Sequence, residues 1–166
     1  METSEVSETN EPLRIGGWLI LIAIGVVFAP VRIFYFVGAT YPSIFTDGSW
    51  ELLTTQGSEV YSPFWGPIII GEIVGNLLFA LLGVYLAYLF FTKRSAFPKW
   101  YLGVALTSTA FILGDAYAVS LVLPGIEVLD SETTQELIRS LVTLCIWSPY
   151  LFLSQRAKAT FIKERT

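Results

Sequence analysis

Hydrophobic residues run almost unbroken over residues 15–37, 67–91, 100–123 and 137–153, and polar sequence separates these four stretches. Crossing a bilayer core takes about 20 apolar residues of helix. The pattern predicts an all-α, polytopic membrane protein with four transmembrane helices in a compact bundle. The fourth helix is expected to begin before its apolar run. Ser131 can cap it, and Glu132 and Glu136 suit the positive end of its dipole. Pro30 and Pro149 can kink spans one and four. Gly71-x-x-x-Gly75 offers a place for a neighbouring helix to approach closely. No internal repeat is visible.

The polar positions inside the spans are few. Each span holds one ionisable side chain: Arg32, Glu72, Asp115 and Arg139. A charge at the centre of a spanning helix costs about 2.5–3.5 kcal/mol on insertion scales. At a rise of about 1.5 Å per residue, Glu72 lies about 8 Å and Asp115 about 12 Å below the same membrane surface. Arg32 and Arg139 fall in that half too, so one network of two acids and two bases is allowed. Asn76 follows Glu72 by one turn and faces the same way. Arg139, Thr143, Trp147, Tyr150 and Ser154 form a stripe on span four, and Tyr101, Ser108 and Asp115 recur every seventh residue on span three. Such stripes belong inside a bundle, because lipid offers no hydrogen-bond partners. The candidate site is therefore Arg32, Glu72, Asn76, Asp115 and Arg139. Simpler readings stand beside it. Arg32 can snorkel to the headgroups, Arg139 can pair with Glu136 one turn back, and Glu72 and Asp115 can serve as structural ion-pair partners. Matched depth makes Arg32 the expected partner of Glu72.

Charge outside the spans sets the orientation. Arg14, Lys93, Arg94, Lys99, Arg156, Lys158, Lys163 and Arg165, eight of the ten basic residues, fall on one side. The connections 38–66 and 124–136 have no Lys or Arg and carry Asp47, Glu51, Glu59, Glu127, Asp130, Glu132 and Glu136. The excess of basic residues in cytoplasmic loops predicts that both termini lie in the cytoplasm. Trp18, Trp65 and Trp100 sit at span ends, as interfacial indoles do. Residues 1–12 read as an acidic, disordered tail and 13–155 as the transmembrane domain. Residues 156–166 read as a basic cytoplasmic tail that either lies on anionic headgroups or only fixes topology. In the long 38–66 connection, Ser49-Trp50-Glu51-Leu52-Leu53 predicts a short helix on the outer leaflet, capped by Ser49.

Composition narrows the chemistry. The chain has 166 residues, 54% of them hydrophobic and 14% charged, with a net charge of −4. With no basic cluster, nucleic acid is excluded as an expected partner. There is no His, the commonest general base and metal ligand, and a single Cys, so metal and iron–sulfur sets are not expected. Cys145, between Leu144 and Ile146, is expected to be an inert buried thiol. Ser108 has no His or intramembrane Lys to activate it. No cofactor and no catalytic constellation is expected.

Several motifs carry a family resemblance. They are Gly16-Gly17-Trp18-Leu19, Tyr61-x-Pro63, Glu72-x-x-Gly75-Asn76 and Phe90-Phe91-x-Lys93-Arg94-x-x-Phe97-Pro98, then Ile146-Trp147-x-Pro149-Tyr150 and Ser154-x-Arg156-x-Lys158-x-Thr160-Phe161. In this order, over residues 13–162, the chain resembles the small bacterial inner-membrane proteins grouped as domain of unknown function 2569. The resemblance implies four spanning helices in the bacterial cytoplasmic membrane and supplies no activity. The expected function is a membrane-embedded binding or accessory subunit, in contact with the lipid bilayer and with a membrane-protein partner or further copies of itself. The alternatives are a small homo-oligomeric transporter or channel and a membrane enzyme using Glu72 and Asp115.

Overall fold

The computed structural model describes residues 11–123 and 129–164, without the side chain of Glu132. The expectations for residues 1–10 of the acidic tail, for Glu127 and for Arg165 lie outside the described residues. The elements are α1 (Leu19–Thr46), α2 (Ser49–Thr54), α3 (Trp65–Phe91), α4 (Phe97–Val122) and α5 (Ser131–Val142). A π-helical turn (Thr143–Trp147), α6 (Ser148–Leu153) and α7 (Gln155–Thr160) complete the chain. Four helices are long and apolar enough to cross a membrane: α1, α3, α4 and the composite Thr133–Leu153.

Two boundaries differ from the hydropathy reading. Helix α1 begins at Leu19 rather than residue 15, after a turn in which Gly17 has φ 60°. It continues past residue 37 to Thr46, through Pro42. The extension is held by packing. Tyr41 is buried, its ring meets Phe36 edge-on at 5.7 Å, and its hydroxyl accepts from Asn76 Nδ2 on α3 at 3.1 Å. Helix α2 forms where the pattern placed it, but Gly48 rather than Ser49 precedes it as the cap residue. Asp47 accepts from the Ser49 N–H at 2.9 Å. The Ser49 hydroxyl and N–H hold the Asp47 carboxyl below the ordinary range. Trp50 packs on Phe45 at 5.1 Å, which folds α2 back on the end of α1.

The fourth span is one helix with a widened turn. Asp130, not Ser131, caps it, accepting from the Thr133 N–H at 2.7 Å. Pro149 has no N–H and its ring crowds the carbonyl four residues back. Just before it, the Ser148 N–H reaches five residues back to the Thr143 carbonyl. The Ser148 hydroxyl donates to that same oxygen at 2.9 Å. The sequence predicts a kink at Pro149; the structure absorbs it as a π turn.

Packing order is α1, α3, α4, then α5–α6. Pro30 of α1 nests against Gly83 of α3, where an added Cβ would lie 3.1 Å from the proline ring. Many large apolar side chains on the spans, such as Ile70, Leu78, Leu81 and Leu153, face outward. Cys145 does so too, which corrects the expected buried thiol. The inward core is concentrated at the end of the bundle that carries the termini. Leu19, Ile22, Leu89, Phe90, Phe97 and Leu151 meet there with Ala157 and Phe161.

This last feature corrects the basic tail as a separate unit. Ser154 accepts from the Ala157 N–H and starts α7, whose Ala157 and Thr160 are fully buried. Phe161 lies 4.8 Å from Phe97 and 5.4 Å from Phe90. The backbone then pairs with the α3–α4 turn: Ser95 N–H donates to Lys163 O at 2.9 Å, and Lys163 N–H to Lys93 O at 3.2 Å. The N-terminal strand of chain joins on, with Leu13 N–H donating to Ala159 O at 3.0 Å and Arg156 to Arg14 O at 3.3 Å. The Tyr101 ring packs beside Phe97 at 5.5 Å and extends the aromatic plug inward.

Removing a buried aromatic from such a core costs about 3–5 kcal/mol. Phe161→Ala is therefore expected to destabilise the purified protein by about 3 kcal/mol in a mild-detergent unfolding titration. Leu153→Ala, on a side chain 75% exposed, is expected to shift stability by less than about 0.5 kcal/mol. Equal effects would show that the C-terminal segment is not part of the core.

Candidate functional site

Above the aromatic plug the four spans diverge around a cavity of about 1040 Å³. Arg32, Glu72, Asn76, Asp115 and Arg139 all line it. The five candidate residues thus come together around one space, though not as one ion network.

Each helix supplies a stripe. On α3, Glu72 and Asn76 stand one turn apart, and Asn76 Nδ2 donates both to the Glu72 carbonyl at 3.0 Å and to Tyr41 at 3.1 Å. The Tyr41 hydroxyl lies within interaction range of the Glu72 carboxylate, and Asp115 is near enough to act on it electrostatically. On α4, Tyr101, Ser108 and Asp115 all face the cavity, as their heptad spacing predicts. The Ser108 hydroxyl donates to the Ala105 carbonyl at 3.0 Å. Asp115 is half-buried, and among the described residues it makes no hydrogen bond or ion pair. On the fourth span, Arg139, Thr143 and Trp147 line the cavity. Tyr150 packs against the core and Ser154 caps α7, so the predicted stripe divides into a lining part and a structural part.

The expected pairings are redistributed. Arg32 Nη1 donates to Glu136 Oε1 at 2.8 Å, the ion pair found among the described residues. Arg139 Nη2 reaches Gln135 Oε1 at 3.4 Å, one turn back, rather than Glu136. The reason is lateral. Helix α1 packs along α3 and α5 along α4, while α1 and α5 do not pack extensively on each other. The Arg32–Glu136 bridge spans the seam between them, where a long side chain reaches and a packed contact does not. Both partners are substantially exposed, at 53% and 34%.

Two further contacts shape the walls. Phe111 of α4 packs so closely on Gly75 that a Cβ there would overlap its ring, and Phe111 meets Phe79 at a tilt, 5.4 Å away. Gly71, the other half of the predicted small-residue motif, has nothing near it. Thr109 and Ser140 hydrogen-bond across the α4–α5 interface. Sequence reasoning missed Tyr41, which fell in a segment read as a loop. It also left Thr109, Thr133, Glu136 and Ser140 out of the site. Glu136 sits four residues before Ser140 and three before Arg139, a helical spacing that could have flagged it. No group of three or more His, Cys, Asp or Glu is placed to hold a metal among the described residues.

An exposed ion pair contributes about 0.2–1 kcal/mol by double-mutant cycle. Arg32→Ala and Glu136→Ala are expected to couple by an amount in that range in detergent unfolding, whereas Arg139→Ala and Glu136→Ala are expected to be additive. Additivity of the first pair would remove the bridge across the seam.

The chain matches known protein sequences along nearly its whole length. A family model described as a protein of unknown function (DUF2569) matches residues 12–162. The inner membrane protein YdgK of Escherichia coli (strain K12) is 30% identical over 159 residues, covering 93% of this chain and 97% of that protein. No solved structure matches the chain. With the matched region running from the first described turn through the four spans to the buried Phe161, the chain belongs to the DUF2569 family of multi-pass membrane proteins of unknown function.

Proposed function

We propose that the protein is a membrane-embedded binding protein whose cavity receives an amphipathic ligand through the seam between α1 and α5. The carrying observation is that all five candidate polar residues line one cavity of about 1040 Å³. Ligand sites are typically about 300–1,000 Å³, mostly apolar, with a few convergent polar groups. Here the charged groups lie toward the end remote from the termini, and Leu21, Ile22, Val26, Leu86 and Val104 line the part nearer the plug. The alternative of a pore through one copy is less well supported, because Phe90, Phe97, Phe161 and Leu151 fill the bundle at that end. An accessory role in a larger assembly is compatible with the broad apolar outer faces but is not needed to account for the cavity.

The orientation belongs to the same proposal. Arg14, Lys93, Arg94, Arg156 and Lys163 gather at the terminal end, which favours a cytoplasmic position for both termini and an outer-leaflet position for the polar part of the cavity. Replacing Cys145 with Ser and placing single cysteines at Gln56 and Ser95 tests this. In intact spheroplasts an impermeant thiol reagent is expected to label position 56 and not position 95. The reverse pattern would invert the topology.

Binding is tested with a photoactivatable phospholipid in vesicles. Crosslinks are expected at lining residues such as Phe79 and Ser108. Gly25 lines the cavity, and a Cβ there meets nothing within 4 Å, so a side chain can be added at that position, and Gly25→Trp is expected to abolish those crosslinks. Labelling confined to outward positions such as Leu81 and Leu153 would overturn the proposal.

A further inference from the structure

The charge of the cavity wall points to the chemistry of its ligand. Four carboxylates face the space, Glu72, Asp115, Asp130 and Glu136, against two guanidiniums, Arg32 and Arg139. Arg32 and Glu136 answer each other. Asp130 caps the fourth span, and by formal count the wall as a whole is negative, with Glu72 and Asp115 both on it. A carboxylate in such surroundings is stabilised by a nearby cation that also donates hydrogen bonds. Its own helix gives Asp115 none, since no Lys or Arg lies within four residues of it. Glu72, on the facing helix, shares the Tyr41 hydroxyl as a neighbour. The two carboxylates therefore converge on one region at the top of an apolar cleft.

The cleft has the length for a chain. Along α4 the lining runs from Tyr101 to Asp115, which is about 21 Å at 1.5 Å per residue. A ligand with one charged head and one apolar chain fits the wall from end to end. The Arg32–Glu136 bridge stands at the open side, between helices that do not pack extensively together.

We propose that the cavity binds a membrane lipid whose headgroup carries a protonated amine, with the ammonium between Asp115 and Glu72 and an acyl chain along the apolar wall beneath. This rests on the binding reading above and adds the headgroup. An ammonium with N–H donors is specified rather than any cation, because each donor can be matched by a carboxylate oxygen or by Tyr41.

The experiment measures lipid binding by native mass spectrometry of the full chain released from mild detergent. The probes are phosphatidylethanolamine, phosphatidylcholine and phosphatidylglycerol with identical acyl chains. Phosphatidylethanolamine is expected to bind about ten-fold more tightly than the other two, the equivalent of one charge-assisted hydrogen bond. Asp115→Asn is expected to erase that preference while leaving phosphatidylcholine binding unchanged, and Asp115→Glu to retain it. The choline lipid differs from the ethanolamine lipid only in its methylated nitrogen, so the comparison on the unaltered protein stands even where a variant fails to fold. Gly25→Trp is expected to weaken all three lipids together. Equal binding of the three lipids, with loss of all three in Gly25→Trp, would overturn the amine assignment and leave the binding reading intact. A preference that survives Asp115→Asn would overturn the placement of the ammonium. Binding of all three that Gly25→Trp does not alter would overturn both readings.

Discussion

The structure depends on one constraint: a polar side chain in a spanning helix must find its partner inside the bundle, because lipid supplies none. Every feature of the candidate site follows from how that constraint is met. Asn76 satisfies its amide on its own helix and on Tyr41, which fixes α1 against α3 at the level of Glu72. Thr109 and Ser140 do the same for α4 and α5. Arg32 and Glu136 meet across the seam that helix packing leaves open. The polar side chains thereby define the edges of a space that no apolar side chain fills. Tyr41 is the least conspicuous member of this set and the one that ties the end of α1 to the site.

The opposite end of the molecule meets a different requirement. There the chain termini and the α3–α4 turn must come together without exposing apolar surface to water. Phe90, Phe97 and Phe161 pack with ring centroids 4.8 to 5.4 Å apart, Phe90 and Phe97 edge to face. Lys93, in a left-handed conformation with φ 56°, turns its carbonyl to Lys163 and its ammonium to the Pro12 carbonyl at 3.2 Å. Basic residues that a charge count assigns only to topology therefore also staple three separate segments of backbone. A rigid closed end and a looser far end are consequences of where the aromatic residues fall in sequence.

Much of this was legible before the structure. Length and hydropathy alone give four spans, and the rarity of charge inside them singles out Arg32, Glu72, Asp115 and Arg139 as residues that face one interior. Counting depth puts them at one level, which is why they line one cavity. Depth does not give azimuth, so the partner of Arg32 was not legible: Glu136 approaches from the open seam, and nothing in the pattern says which pair of helices leaves one. The end of α1 was missed because Gly38, Thr40, Pro42 and Ser43 lower the hydropathy while tertiary packing of Tyr41 keeps the helix intact. The π turn was missed for a related reason. Pro149 announces a defect, but whether the chain kinks or widens depends on where Ser148 sends its N–H and hydroxyl. The burial of Ala157 and Phe161 was masked by Arg156, Lys158 and Lys163 around them, because the face that packs inward holds Ala157, Thr160 and Phe161.

The size of the cavity favours the proposed binding role of the polar cluster over a purely structural one. Cavities left in packed cores cost about 24 cal/mol per Å³. That rate applies to enclosed voids, whereas this space of about 1040 Å³ opens at the seam between α1 and α5 and has the size of a ligand cleft. A cluster serving only to hold the bundle would gain by closing on itself, bringing Arg139 onto Asp115 or Glu72 and eliminating the space. Instead, the walls are propped apart. Gly75 lets Phe111 lie across the α3 backbone, Pro30 rests on Gly83, and the π turn resets the register of the fourth span beside Thr143 and Trp147. Each of these fixes a helix against its neighbour, and the space lies between these contacts. With charge at one end and hydrocarbon along the rest, water suits only part of that volume. The proposed amphiphile matches both parts.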